Sequence, residues 1–270
     1  MHEQLFTNFY DTAHMNPPVG PSVPGKVTVS IVSHRQAPLV KPLLTDLNQH
    51  CSSDIDRVLL TCNLPEPLAF EPSEFKFPIE PIVNPTPMGF GANHNQAFKR
   101  CEGEWFLVIN PDVRLTSNVI SNLLLRATEV TGLLAPQEVS ESGSAVGNLR
   151  GPITPWELVR RQVLRLPPQP PALGGWVKGM FMLNRSEAFR GVGGFDPRYF
   201  MYCEDFDLCA RLMLAGWTVD HHADLVATHA WQRGSHRSKD LTIHHLNSLI
   251  TMWTSSAFWR YRKHVATLSQ

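Results

Sequence analysis

The 270-residue chain has no run approaching the roughly 18 consecutive apolar residues that a membrane span needs. It has no net charge: 24 Lys and Arg stand against 24 Asp and Glu. That balance argues against a whole-protein field for gathering nucleic acid and leaves only local basic patches. Cysteine is sparse. Cys51, Cys62, Cys101, Cys203 and Cys209 are five, an odd number, and none form a C-x-x-C pair, which speaks against a disulfide scaffold or a zinc knuckle. Reduced thiols in a cytosolic protein are the simple reading. The first 25 residues hold "MNPPVGPSVPG" and no apolar stretch, so the expectation there is a flexible arm and not a secretory leader. No internal repeats are visible.

What is present is an ordinary globular balance, 43% hydrophobic and 18% charged, in a chain long enough to bury a substantial core. Lys26 to Val32 ("KVTVSIV") predicts a first strand, and Leu39, Leu43, Leu44 and Leu47 share one face of a helix starting near Pro38. "RVLLT" predicts a second strand and "EPIVN" a third. "PTPMGFGANHNQAFKRCEGE" reads as a Gly-rich turn and a helix stopped near Gly103. "WFLVI", Trp105 to Ile109, is apolar without alternation, as in a strand covered on both faces. A helix through Ile120, Leu123, Leu124 and Ala127 and a strand at "GLLAP" come next. Strands alternating with helices predict an α/β domain with a mostly parallel sheet.

The middle segment "LVRRQVLRLPPQPPALGG" is basic, then Pro-rich, then Gly-rich, and reads as a mobile loop before the sheet resumes at "WVKGMFMLN". "EDFDLCARLMLAGW" predicts a helix with acids in its first turn and Gly216 at its end. "ADLVATHA" predicts a late strand. In the tail, Ile243, Leu246, Ile250, Trp253 and Ala257 repeat at alternating spacings of three and four, which predicts one helix with an apolar seam.

Chemistry in an open α/β sheet sits beyond the carboxyl ends of the strands. Ser33, His34, Asn63, Asn84 and the Asn110-Pro111-Asp112 step fall there. Pro111 cannot donate to a ladder, so the strand stops and Asp112 stands at the rim. A carboxylate there either caps a turn or holds a divalent cation bridged to phosphates. Glu204 and Asp205 either cap their helix or serve a site, and the loop before them carries Phe195, Tyr199, Phe200 and Tyr202, a composition suited to a sugar-binding wall. His229 follows an apolar strand and is either structural or a metal ligand. Arg233, His236 and Arg237, close behind it, are cations able to neutralise a diphosphate.

The ordered set "GFGANHNQAF", "LVINPDVRL", "WVKGMFMLNRSEAFRGVGGFDPRYFMYCEDFDLCARLMLAGW" and "ATHAWQRGS" resembles family 2 glycosyltransferases, in particular the bacterial rhamnosyltransferase-like branch that builds surface polysaccharides. The resemblance covers roughly residues 26 to 240. It implies a GT-A fold: a mixed, mostly parallel central sheet with helices on both faces. The implied organisation is an arm over 1–25, the transferase domain over 26–235 and a C-terminal helical tail over 236–270. "NPD" resembles the family's Asp-x-Asp metal motif with Asn110 in place of the first acid. By resemblance Asp112 and His229 hold Mg²⁺ or Mn²⁺, Asp205 is the general base and Glu204 orients the acceptor. Trp176 and Gly179 match the acceptor-side strand, and Asn93 a donor-site polar residue. Where relatives carry an Asp-Asn-x-Ser-like stretch after the second strand, this chain has "TCNLPEP", which keeps Asn63 and lacks the Asp.

The implied activity is inverting transfer of a sugar, with dTDP-rhamnose as the favoured donor and a saccharide, free or lipid-linked, as acceptor. The implied place is the cytoplasm, with the basic stretches "LVRRQVLR" and "WRYRKH" able to touch the inner face of an anionic membrane. Two alternatives stand beside it. A sugar nucleotidyltransferase needs a basic Gly-rich phosphate loop near the first strand, and "VSHRQAPL" is a poor match. A catalytically degenerate nucleotide-sugar-binding protein draws support from the missing Asp.

Overall fold

The computed structural model describes residues 26–146, 149–151, 153–165, 175–229 and 239–268. The expected arm over residues 1–25 and the segment 166–174 lie outside the described residues, as do Arg233, His236 and Arg237. The first half is a run of parallel βα units: β1 (Val27–Ser33), α1 (Ala37–His50), β2 (Ile55–Cys62), β3 (Ile79–Val83), α2 (Phe90–Phe98) and β4 (Trp105–Ile109). A two-residue strand β5 (Val113–Arg114) and a short helix α3 (Val119–Leu124) lead to β6 (Thr131–Ser140). The second half holds β7 (Leu149–Arg150), α4 (Pro155–Gln162), β8 (Trp176–Val177), β9 (Phe181–Arg185), α5 (Ser186–Gly191), α6 (Glu204–Leu214), β10 (Thr218–His229), α7 (Lys239–Thr254) and α8 (Ser256–Leu268).

Eight strands form one mixed sheet in the order β3-β2-β1-β4-β9-β6-β10-β5, and β7 pairs with β8 beside it. β1 runs parallel to β2 and β4, and β6 runs parallel to β10, while β9 is antiparallel to both its neighbours. β4 explains the unbroken apolar run. Trp105, Leu107 and Ile109 join the core built with α1 and α3, whereas Phe106 and Val108 join the opposite core with α5 and α6. All five are buried, so neither face of the strand tolerates a polar residue.

Three expectations are corrected. The segment read as a mobile loop begins as α4, capped by the Thr154 side chain accepting from the Glu157 amide (3.0 Å). The tail is two helices, with the break at Ser255, whose hydroxyl accepts from the Phe258 amide (3.2 Å) as the second helix starts. Its seam is buried only at its far end: Ile243, Leu246 and Ile250 are exposed, Trp253 is partly buried and Ala257 buried, while Leu249 and Met252 off the seam are buried. A three-four repeat identifies an apolar face but not what covers it. Finally, Phe195 and Tyr199 are fully buried and belong to the core, so the loop before α6 is not a wall of four free aromatics. Phe200 stacks on His244 (4.5 Å between centroids) and Tyr202 packs on His245 (4.9 Å), which docks α7 against that loop.

Candidate active site

The strand ends are built as an interlocked polar floor. Asn63 takes the Met88 amide on its Oδ1 (2.8 Å) and gives its Nδ2 to the Met88 carbonyl (2.9 Å) and towards His34 Nδ1 (3.1 Å). Asn84 bridges Asn63 and Asn93 (2.9 and 2.6 Å). Asn93 is fully buried, and its amide donates to the carbonyls of Met88 and Gly89. It therefore shapes the 85–89 turn from beneath, while His34 is exposed at the rim. Ser33 is buried and its hydroxyl donates to Glu66 Oε1, whose other oxygen accepts the first amide of α1, Ala37 N (2.9 Å). Glu66 is an acid at this strand end that the sequence pattern does not single out; it sits in the stretch where the family's Asp is missing.

Asp112 owes its position to the residues just after it. Asp46 on α1 accepts two hydrogen bonds from the Arg114 guanidinium (2.6 and 2.9 Å) and one from the Leu115 amide (3.0 Å), which clamps β5. β5 pairs antiparallel with the end of β10, Val113 opposite His229. That pairing carries His229 Nε2 to 3.0 Å from Asp112 Oδ2, although the two are far apart in the chain. The other ring nitrogen, Nδ1, lies 2.7 Å from Glu138 Oε1 on β6. Glu138 is fully buried, and Lys178 pairs with its second oxygen. Burial alone would lower the imidazole's affinity for a proton. The hydrogen bonds and charges of Asp112 and Glu138 exceed that penalty and push His229 up to about 9. Burial also disfavours charged Glu138, but His229 and Lys178 hold it below the usual carboxylate range.

This arrangement has a measurable pH signature. His229 binds its proton more tightly in the folded chain than at its ordinary 6.5, so its stabilisation is complete below about pH 6.5 and is lost as pH rises through about 9. The full effect is on the order of 3 kcal/mol. Urea midpoints of the metal-free wild type should fall across that window, and those of His229→Gln should fall much less. Parallel profiles would refute the clamp.

The second acid pair starts α6. Tyr202 and Cys203 both adopt left-handed backbone (φ 73° and 65°), which costs conformational energy and turns the chain sharply into Glu204. Asp205 accepts the Gly179 amide on Oδ2 (3.1 Å) and the Phe206 amide on Oδ1 (2.8 Å). Gly179 is closely approached: a Cβ there would stand 3.3 Å from the Phe90 ring, which would have to give slightly, and in ordinary contact, 3.8 Å, with the Asp205 Cβ. Burial raises Asp205, and its two amide donors and the charge of Arg150 oppose that rise. Glu204 is raised well above its ordinary value by burial and by Asp205's charge, and its Oε2 is buried with no hydrogen-bond partner among the described residues. Both carboxyls are thus pushed toward their neutral forms, Glu204 the more strongly, and the two titrate as a pair. Trp176 is buried, its indole N–H on the Gly151 carbonyl (2.8 Å), its ring under Arg150 and against Phe206.

One short turn joins the two acids. Lys178 pairs with Glu138, the partner of His229; Gly179 donates to Asp205; and the Met180 carbonyl accepts the Asn110 amide (3.0 Å). Asp112 and Asp205 are therefore both tied to residues 178–180. Glu138, Lys178 and Arg150 escape sequence reasoning because their signal is a spatial pairing across dozens of residues. No group of three or more His, Cys, Asp or Glu among the described residues is placed to cage a metal by protein alone. In this metal-free arrangement His229 Nε2 carries a proton toward Asp112, so a divalent cation shared with a diphosphate would fit between them only by displacing that proton, since a ligating imidazole is neutral.

Solved structures share this architecture. A mannosyltransferase from Pyrobaculum calidifontis, PcManGT, solved with GDP-Man and Mn2+, superposes with a TM-score of 0.60 over 89% of this chain and 70% of its own, at 14% identity. TarS from S. aureus, residues 1–349 with UDP-GlcNAc, superposes at 0.57 over 86% of this chain and 67% of its own, also at 14% identity. The chain has the GT-A fold, and its sequence is similar to rhamnosyltransferases. In sequence it is 32% identical over 200 residues to the N-acetylglucosaminyl-diphospho-decaprenol L-rhamnosyltransferase of Mycobacterium tuberculosis, a match covering 66% of this chain and 64% of that one. The chain therefore spans just under two thirds of that curated relative. A 41-residue stretch is 63% identical to rhamnosyltransferase WbbL of Escherichia coli K12, covering 15% of this chain and 16% of that protein. No family profile matches the chain.

Proposed function

We propose that the chain transfers a sugar, with inversion, from a nucleotide diphosphate to a hydroxyl of a lipid-linked saccharide, and that rhamnose from dTDP-rhamnose is the sugar. The observation that carries this reading is geometric: the Glu204–Asp205 pair at the start of α6 is tied through residues 178–180 to the Asp112–His229 pair. The names of the M. tuberculosis and E. coli relatives support the sugar, and that of the former supports a lipid-linked acceptor.

Asp205 accepts the proton of the acceptor hydroxyl as its oxygen bonds to the anomeric carbon. The bond from that carbon to the diphosphate breaks, and the diphosphate leaves with the electron pair. Two backbone amides fix the Asp205 carboxylate, so the base meets the hydroxyl in one orientation. The helix dipole of α6 weakens Asp205 as a base, and burial works in the opposite direction. Glu204, whose Oε2 has no hydrogen-bond partner among the described residues, orients the same acceptor. Asp112 and His229 would hold the divalent cation, which when bound supplies positive charge to the departing diphosphate. Glu138 orients the His229 ring from behind, and Lys178 holds Glu138. His34 and Asn110 line the donor end, the buried Ser33, Asn63 and Asn93 support it from below, and Arg233, His236 and Arg237 add cations a few residues past His229. Trp176 and Gly179 form the acceptor side.

The test is a thermal-shift screen of nucleotide diphosphates with and without Mn²⁺, followed by a product assay with dTDP-rhamnose and saccharide acceptors. A nucleotide at about 100 times its dissociation constant should stabilise the fold by about 2.7 kcal/mol. Stabilisation by dTDP without transfer to any acceptor would point to the degenerate binder. Indifference to all nucleotides would remove the transferase reading.

A further inference from the structure

Two helices on the second half of the molecule turn apolar faces outward. On α7, Ile243 and Leu246 are each 56% exposed and Ile250 is 50% exposed, while Leu249 and Met252 on the opposite side pack into the core. On α4, Trp156 is 66% exposed, with Val159 and Val163 on the same side, while Leu158 opposite them packs inward. The two helices are linked. The Trp253 indole N–H donates to the Ile153 carbonyl (2.8 Å), one residue before the cap of α4. Trp259, 51% exposed at the start of α8, donates its indole N–H to the Trp253 carbonyl (2.7 Å). These linked elements together expose two tryptophans among aliphatic side chains. Monomeric soluble proteins rarely leave such a patch without a partner.

Charge selects the partner. Residues 149–165 and 239–268 together hold eight Lys or Arg and two acids, in a chain whose total is 24 of each. Arg165, Arg260, Arg262 and Lys263 are exposed, and the Arg262 guanidinium lies over the Trp259 ring (5.3 Å). Aliphatic side chains suit the acyl boundary, indoles the headgroup level, and cations the phosphates of an anionic leaflet. No helix among the described residues is long and apolar enough to cross a membrane, so the contact is with the surface.

We propose that the outward faces of α4, α7 and the start of α8 form a docking surface for an anionic lipid bilayer. The surface borders the acceptor side: Phe200 stacks on His244, and Ser248 Oγ donates to the Met201 carbonyl (2.7 Å), just before Glu204. Docking there brings the Glu204–Asp205 end to the membrane, where a lipid-linked saccharide presents its sugar. That consequence rests on the proposed function, whereas the exposure and charge of the surface do not.

The experiment is co-sedimentation of the full chain with phosphatidylcholine vesicles with and without phosphatidylglycerol, at low and high salt. The wild type should bind the anionic vesicles, and binding should weaken as salt screens the cations. The double variant Leu246→Glu/Ile250→Glu, and separately Trp156→Glu, should lower partitioning by at least about tenfold. Both should keep the wild-type melting temperature and turnover on a soluble acceptor, since these side chains face solvent. Three results would overturn the proposal: no binding of the wild type to anionic vesicles, undiminished binding of both variants, or a wild-type dimer that the double variant converts to monomer. Vesicle binding needs no sugar donor, so a chain that binds membrane but transfers nothing would sink the transferase reading alone.

Discussion

Asp205→Asn should lower turnover by about 10²- to 10⁴-fold, the usual worth of a positioned general base. Nucleotide binding should stay within about twofold of wild type, because Asp205 stands on the acceptor side. The asparagine is isosteric and its carbonyl oxygen can keep one of the two amide donors now shared between Gly179 and Phe206. Loss of the other hydrogen bond costs about 1 kcal/mol, and removal of a buried charge offsets part of that. Melting temperature and turnover should therefore separate: the first nearly unchanged, the second largely gone. Turnover equal to wild type would show that another group takes the proton. A variant that fails to fold would be resolved by Asp205→Glu, which keeps the charge and moves the base by one methylene.

Asp112→Asn is expected to act at the other end. Turnover should fall by about 10²- to 10³-fold, the scale of losing one element of preorganised charge at a leaving group. Unlike the Asp205 variant, it should also abolish any Mn²⁺-dependent gain in nucleotide binding, measured by calorimetry with dTDP. The substitution also removes one of the two acids that hold His229 protonated, so the alkaline loss of stability should be smaller than in wild type and complete at a lower pH. A variant that kept full Mn²⁺-dependent nucleotide affinity would place the cation elsewhere. The two variants together distinguish a donor-side acid from an acceptor-side acid without knowledge of the acceptor.

Much of the architecture was legible because local physics demanded it. The run from Trp105 to Ile109 can only be a strand buried on both sides, and Pro111 can only end it. The acids of "EDFDL" announce a helix start, and Gly216 its end, and both stand where expected. Expectations failed where burial depended on distant partners. The four aromatics before Glu204 have one composition, but two of them serve the core and two serve α7. The tail seam was visible as a pattern, yet the fold buries the opposite side of α7. Glu138 and Lys178 carry no local signal: buried Lys178 is tolerable because Glu138 is beside it, and buried Glu138 because Lys178 and His229 are.

By itself the sequence determined the alternation of strands and helices, the strand-end position of Asp112 and the helix-start position of Asp205, since these arise from periodicity and capping over a few residues. Only the tertiary structure decided that they share a neighbourhood. The antiparallel pairing of β5 with β10 brings His229 to Asp112, and the turn at residues 178–180 links that pair to Asp205. The physical reason is that backbone pairing between strands is chemically uniform and carries no label of its partner. Which strands meet is settled by the packing of the whole core, and with them the charges they carry.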